Sequence, residues 1–162
     1  MSYYTIILFD LSYFHEYDPI RCTHFLEFLL DFRKQSFFGC DMMKTFKLKS
    51  LIICFENDER LVQQYIPIID GLIIDREDDL QQWIIEAYMN QSYKDFFTLL
   101  NQEQSKLILQ VKITKETNDP AFFLCKMIDM NDIENNMNVL FKGSIIDRND
   151  EVYGNWIKKI EG

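Results

Sequence analysis

From Phe46 to Ile146 apolar residues recur mostly at every second position, and this period narrows what the chain can fold into more than any other feature. Leu107, Leu109, Val111 and Ile113 alternate cleanly with Gln110, Lys112 and Thr114, as in a strand with one buried and one wet face. Phe46, Leu48, Ser50, Ile52 and Cys54 alternate with Lys47, Lys49, Leu51 and Ile53; the first half is polar on one side and the second is apolar on both. Further strands are expected over residues 66–69, 72–75, 83–89, 121–130 and 137–146. Turn chemistry separates them at Asp70-Gly71, in the acidic run 75–79, at Asn118-Asp119-Pro120 and over 131–136. Crowded strands with short connections predict antiparallel pairing rather than βαβ crossovers.

Two segments switch to helical period. Ser92 and Asp95 resemble a capping box, followed by Tyr93, Phe96, Phe97 and Leu100 on one stripe. Near the C-terminus Asn149 is placed to cap a helix whose buried stripe is Val152, Tyr153, Trp156, Ile157 and Ile160. Asp150 and Glu151 suit the positive end of its dipole, and Lys158 and Lys159 the negative end. Gly154 costs that helix about 1 kcal/mol relative to alanine, so it relies on packing. The expected fold class is α+β and β-dominated: an antiparallel β-barrel or sandwich core carrying a helix pair, at about 92–104 and 150–161.

A compositional seam falls at Met42-Met43. Residues 1–42 hold 11 of the 24 aromatic residues, both histidines (His15, His24) and two of four cysteines (Cys22, Cys40). This divides the chain into an N-terminal extension, 1–42, and a domain, 43–162. Within the extension Thr23 is a candidate cap for a helix with Phe25, Phe28, Leu29 and Phe32 on one stripe, widened by Leu26 and Leu30. Two readings stand: an extension that docks on the core or on another protein, or an over-long gene model whose natural start is Met42 or Met43. Composition favours the second, since an AT-rich region read in frame is rich in Phe, Tyr, Ile and Leu.

The net charge of −9 disfavours general binding to phosphate backbones and to anionic lipid. Cysteines 22, 40, 54 and 125 form no CxxC pair, and Cys54 and Cys125 sit in apolar runs as small hydrophobes. Together with the lack of a basic n-region, this fits a reducing cytoplasmic setting. The run 25–38 is too short and too charged to span a bilayer.

Signs of chemistry are sparse. A domain starting at Met43 has no histidine, hence lacks the commonest general base and metal ligand. Cys22, His24 and Cys40 do not complete a zinc set. Asp129, Asn131, Asp132 and Glu134 mimic a calcium loop but lack its central glycine and distant bidentate glutamate, which leaves a solvated turn between strands. Asp75, Glu77, Asp78 and Asp79 read as a solvated connection. Glu86, amid Ile84, Ile85, Ala87 and Tyr88, reads as the outward position of a half-buried strand. Trp83, Tyr88, Phe122, Phe123 and Phe141 are candidates to line a pocket or stack on bases, against the plainer reading that they fill the core. No residue is assigned a catalytic, cofactor-binding or metal-binding role, and no cofactor is expected.

The blocks Met43-Lys44-Thr45-Phe46-Lys47, Asp70-Gly71-Leu72-Ile73-Ile74 and Trp83-Ile84-Ile85-Glu86-Ala87-Tyr88 resemble the YwpF-like family of small bacterial proteins. So do Ile113-Thr114-Lys115, Asn118-Asp119-Pro120-Ala121-Phe122-Phe123 and Val139-Leu140-Phe141-Lys142-Gly143. The resemblance implies a β-barrel or sandwich core with two attached helices, and carries over no catalytic or ligand residue. By analogy with Hcp-like tube proteins it hints at assembly. Residues 1–42 are where the chain departs from the family pattern. The leading functional expectation is a non-enzymatic, cytoplasmic protein that binds a protein partner or itself, in a regulatory role, without nucleic acid or membrane. Alternatives are a small-molecule or lipid binder using the barrel interior, and a carboxylate hydrolase built on Glu86 and Asp119.

Overall fold

A computed structural model describes residues 43–77, 79–104, 106–147 and 149–161, all within the unit Met42–Gly162. The extension's expected helix, with His15, Cys22, His24 and Cys40, lies outside the described residues. Seven strands follow in order: β1 (Lys44–Asn57), β2 (Arg60–Ile66), β3 (Ile68–Asp75), β4 (Trp83–Asn90), β5 (Leu107–Ile113), β6 (Ala121–Ile133) and β7 (Asn136–Ile145). A short 3-10 turn (Gln91–Tyr93) leads into α1 (Lys94–Glu103), and α2 (Glu151–Glu161) closes the chain.

All described pairings are antiparallel, and six strands close on themselves in the order β1-β3-β4-β7-β6-β5 and back to β1. The fold is therefore a closed barrel, the first of the two expected architectures, with two helices attached. β1 makes closure possible because it is long enough to serve several neighbours. Residues 44–47 pair with β3, residues 51–57 pair with β2, and the segment from Leu48 to Cys54 pairs with β5.

A register irregularity between Leu48 and Ser50 explains the two-part pattern of β1. Phe46 and Leu48 pack with the inner cluster before it, and Leu51 and Ile53 after it. The face expected from strict alternation therefore changes phase at the bulge, and Ile52 and Cys54 point outward. The same device in β6, between Met127 and Asp129, moves the inward set from Phe123, Cys125 and Met127 to Met130.

Among the described residues, two apolar clusters bring the strands and helices together. The inner one fills the barrel with Leu51, Ile53, Ile73, Ile85, Leu109, Phe123, Val139 and Phe141, all fully buried. α1 contributes Phe97 and Leu100 to this cluster. The outer one lies beneath α2, where Ile157, Tyr153, Trp156 and Ile160 pack on Cys54, Ile108, Phe122 and Leu124 of β1, β5 and β6. The two helices thus serve different clusters, although the sequence treats them alike.

Several boundaries differ from the sequence reading. β2 was not expected as a strand before Ile66. Asp70-Gly71 is no turn but part of β3, where a Cβ on Gly71 would come within 2.7 Å of the Glu86 carbonyl oxygen and of Leu48. Ser92 is not the cap of α1; the Asn90 side chain accepts the Ser92 N–H at 2.9 Å and caps the 3-10 turn. At α2 the first helical bond runs from the Gly154 N–H to the Asp150 carbonyl at 2.6 Å, so Asp150 rather than Asn149 holds the cap position.

Candidate functional site

The feature of this barrel that most invites a partner is the edge it leaves over. β2 is joined to the sheet through β1 alone among the described strands. Its hairpin with β1 closes through Asp58 and Glu59, opposite Asn57 and Arg60, with φ of 47° and 61°. This positive-φ pair gives a tight two-residue turn of the kind that matches strand twist. Pro67 ends β2, having no N–H to donate. Alternate residues between them turn their N–H and C=O groups away from β1. Gln63 and Tyr65 are exposed, Tyr65 by 57%. Between Leu61 and Ile66 the strand carries no charge.

Beside this edge a groove of about 260 Å³ is walled by Glu56, Glu59, Arg60, Leu61, Trp156 and Lys159. Its apolar floor, Leu61 and Trp156, belongs to the outer cluster. A second, wider hollow of about 530 Å³ opens to solvent between the start of α1 and the β6–β7 hairpin, lined by Asn90, Gln91, Ser92, Lys94, Asp95 and Asn135. Both lie on the outside of the barrel.

The residues singled out in the sequence do not converge. Phe123 and Trp83 meet in the inner cluster with ring centres 5.3 Å apart, and Phe141 lies 6.1 Å from Phe97. Phe122 faces the other way, under α2, and the Tyr88 hydroxyl accepts a hydrogen bond from Asn136 Nδ2 at 3.0 Å. These aromatics do not line one pocket. Glu86 is only 1% exposed, which corrects its reading as a half-exposed position. It points away from the barrel axis on β4, opposite Leu72 and Leu140. Asp119 is exposed in the β5–β6 connection. Asp129 lies level with Glu86 through Leu140, and Asp119 lies about ten residues of chain before it, most of them in extended β6, a length on the order of 30 Å along the strand. No shared cleft brings them together.

The calcium-like run is mostly strand. Asp129 to Asp132 belong to β6, Asn131 Nδ2 donates to Asp129 Oδ2 at 2.9 Å, and Asp132 pairs with Lys94 at 2.5 Å. The Lys94 ammonium holds the Asp132 carboxyl below its ordinary range. In the 75–79 connection, Glu77 forms an ion pair with Lys44, which raises the Lys44 ammonium above its ordinary value. Among the described residues no three His, Cys, Asp or Glu side chains gather as a cation site. The buried thiols are not poised nucleophiles either: desolvation pushes Cys54 up to about 12 and raises Cys125 as well. No described helix is long and apolar enough to cross a membrane.

The sequence missed β2, the strand that carries the open edge. Its signal was weak because Gln63 and Gln64 interrupt the apolar alternation and because its turn has no glycine. What was legible was the spacing itself: Asp58-Glu59 between two β-prone runs.

Comparison with known proteins places the fold in context. The chain is 36% identical over 107 residues to an uncharacterized protein, YwpF, of Bacillus subtilis (strain 168), an overlap covering 65% of this chain and 78% of that one. A crystal structure of a hypothetical protein from Staphylococcus aureus shares the fold with a TM-score of 0.58 at 24% identity, covering 72% of this chain and 80% of that one. The family described as YwpF-like protein matches residues 44–161 and leaves residues 1–42 outside the match. Through the closed barrel and both of its helices, the chain belongs to the YwpF-like family.

Proposed function

We propose that this protein is a non-enzymatic binding module that recognises a protein partner in the cytoplasm and acts as a regulator. One observation carries the reading: the barrel interior is filled with side chains while, among the described strands, the β2 edge is left unpaired beside a groove. Phe97, Phe123 and Phe141 occupy the space a small ligand or lipid would need, so the interior lends no support to a carrier role. The unpaired thiols of Cys54 and Cys125 fit a reducing compartment. The net charge of −9 turns recognition toward basic partners rather than nucleic acid.

The test is affinity capture with the full chain under native salt, followed by quantitative mass spectrometry and reciprocal capture. The expected result is a defined partner that survives the reciprocal step. Recovery of nothing above a tag-only control would overturn the proposal.

A further inference from the structure

We infer that the edge of β2, open among the described strands, is a strand-addition site for an extended basic segment of another protein, which would pair antiparallel with residues Arg60–Ile66. The inference rests on the protein-binding reading above and specifies how that binding occurs.

Three observations carry it. First, the edge is long enough: seven residues span about 23 Å, room for three or four main-chain hydrogen bonds to an added strand. Second, it is undefended. Proteins blunt exposed edges with lysine, proline or bulges along the strand, yet here proline comes only after the strand ends. The exposed centre is Gln63 and Tyr65. Tyr65 is 57% exposed, which gives an incoming strand a large, partly apolar cross-strand neighbour. Third, the charges at its ends select the occupant. Glu56, Asp58 and Glu59 at the hairpin tip and its groove outnumber the two bases there, Arg60 and Lys159.

An antiparallel strand brings its C-terminal end to that tip, so a basic residue there meets the carboxylates of Glu56 and Glu59. Both line the groove whose floor holds the Trp156 ring, a face that also attracts cations. A second copy of the chain is the disfavoured occupant, since each copy brings a net charge of −9. Strand addition gives affinity through the main chain and selectivity through alternate side chains.

The experiment uses the full chain, labelled with nitrogen-15, and seven-residue capped peptides of alternating valine and threonine. One peptide has lysine at both ends, one has glutamate at both ends, and one is the lysine peptide with its central amides N-methylated. The lysine peptide is expected to shift and protect the β2 amides and to shift the Trp156 indole. Its affinity should weaken at least tenfold on N-methylation or on exchange of lysine for glutamate, and should fall with added salt. Absence of any shift at millimolar lysine peptide, or shifts confined to the hollow beside α1, would overturn the inference. So would a dimer seen by light scattering with β2 already protected, which would make a second copy the occupant.

The double variant Gln63→Lys with Tyr65→Lys, checked for an unchanged melting temperature, separates this inference from the broader one. It is expected to lose both the peptide and the captured partner. Full retention of the partner would refute strand addition while leaving protein binding intact. Capture of no partner by the wild-type chain would refute protein binding itself.

Discussion

Replacing Gly143 with alanine tests how tightly the barrel wall is drawn. Gly143 sits on β7 opposite Cys125 of β6 and Trp83 of β4. A Cβ built there lies 2.0 Å from the Leu124 carbonyl oxygen and 2.7 Å from both Cα and Sγ of Cys125. Reaching even a tight 3.0 Å contact requires β6 to retreat by a full ångström from the strand that bonds it. Because two of the three obstructing atoms are backbone, side-chain rotation alone cannot relieve the clash. β6 is also held on its far side by β5, through Leu107↔Cys125 and Ile108↔Leu124.

Overpacking alone costs about 1–3 kcal/mol, and two lost ladder bonds add roughly 0.5–1.5 kcal/mol each. The sum, about 2–6 kcal/mol, reaches into the range attained by few single substitutions. For a domain of this size it lowers the melting temperature by roughly 5–20 °C. Urea unfolding followed by tryptophan fluorescence reads the loss, since Trp83 lies against the same wall. The control is Cys125→Ala, which removes the sulfur but not the carbonyl. The double variant should remain nearly as destabilised as Gly143→Ala. A Gly143→Ala protein within about 0.5 kcal/mol of wild type would refute the reasoning, as would complete rescue by Cys125→Ala.

Other consequences follow from the two clusters. The buried thiols keep their protons when folded and lose them near pH 9 when unfolded, so stability is full below about pH 9 and declines as pH rises toward 12. Urea midpoints measured across that window should fall less in a Cys54→Ala variant, and equal slopes would contradict the burial of this thiol. Phe97→Ala should cost about 3–5 kcal/mol and open a dry cavity in the inner cluster; xenon shifts of inward methyl resonances would reveal it, and their absence would mean that the barrel end collapses. Ile157→Ala should cost about 2–4 kcal/mol and speed amide exchange throughout α2. Amides of β4 and β7, which belong to the other cluster, should keep their protection, and equal acceleration there would show the two clusters to be one cooperative unit.

Much of the barrel was readable in the chain because its strands are half-buried and alternate. β5 and β4 fell where their patterns placed them. The phase of β1 was not readable, since the bulge beyond Leu48 leaves no mark in composition. Gly71 looked like turn chemistry beside Asp70, although its role is to let β3 approach the Glu86 carbonyl and Leu48. Glu86 looked like a solvent-facing charge, yet exposure depends on what lies over a strand and not on its alternation. The β2 edge was the hardest to foresee, because an unpaired edge is a property of topology and no residue encodes it alone.

The length of β1 also has a consequence for how the protein is made. This strand is committed to three neighbours, and the last of them, β5, begins at Leu107. As the polypeptide leaves the ribosome, β1 must wait for roughly fifty residues of later chain before its second edge can be satisfied. Closure over such a separation is entropically slow. Until then Leu51 and Ile53 remain accessible to other nascent chains. During synthesis the exposed edge of β1 is therefore the segment of this barrel that waits longest for its partner.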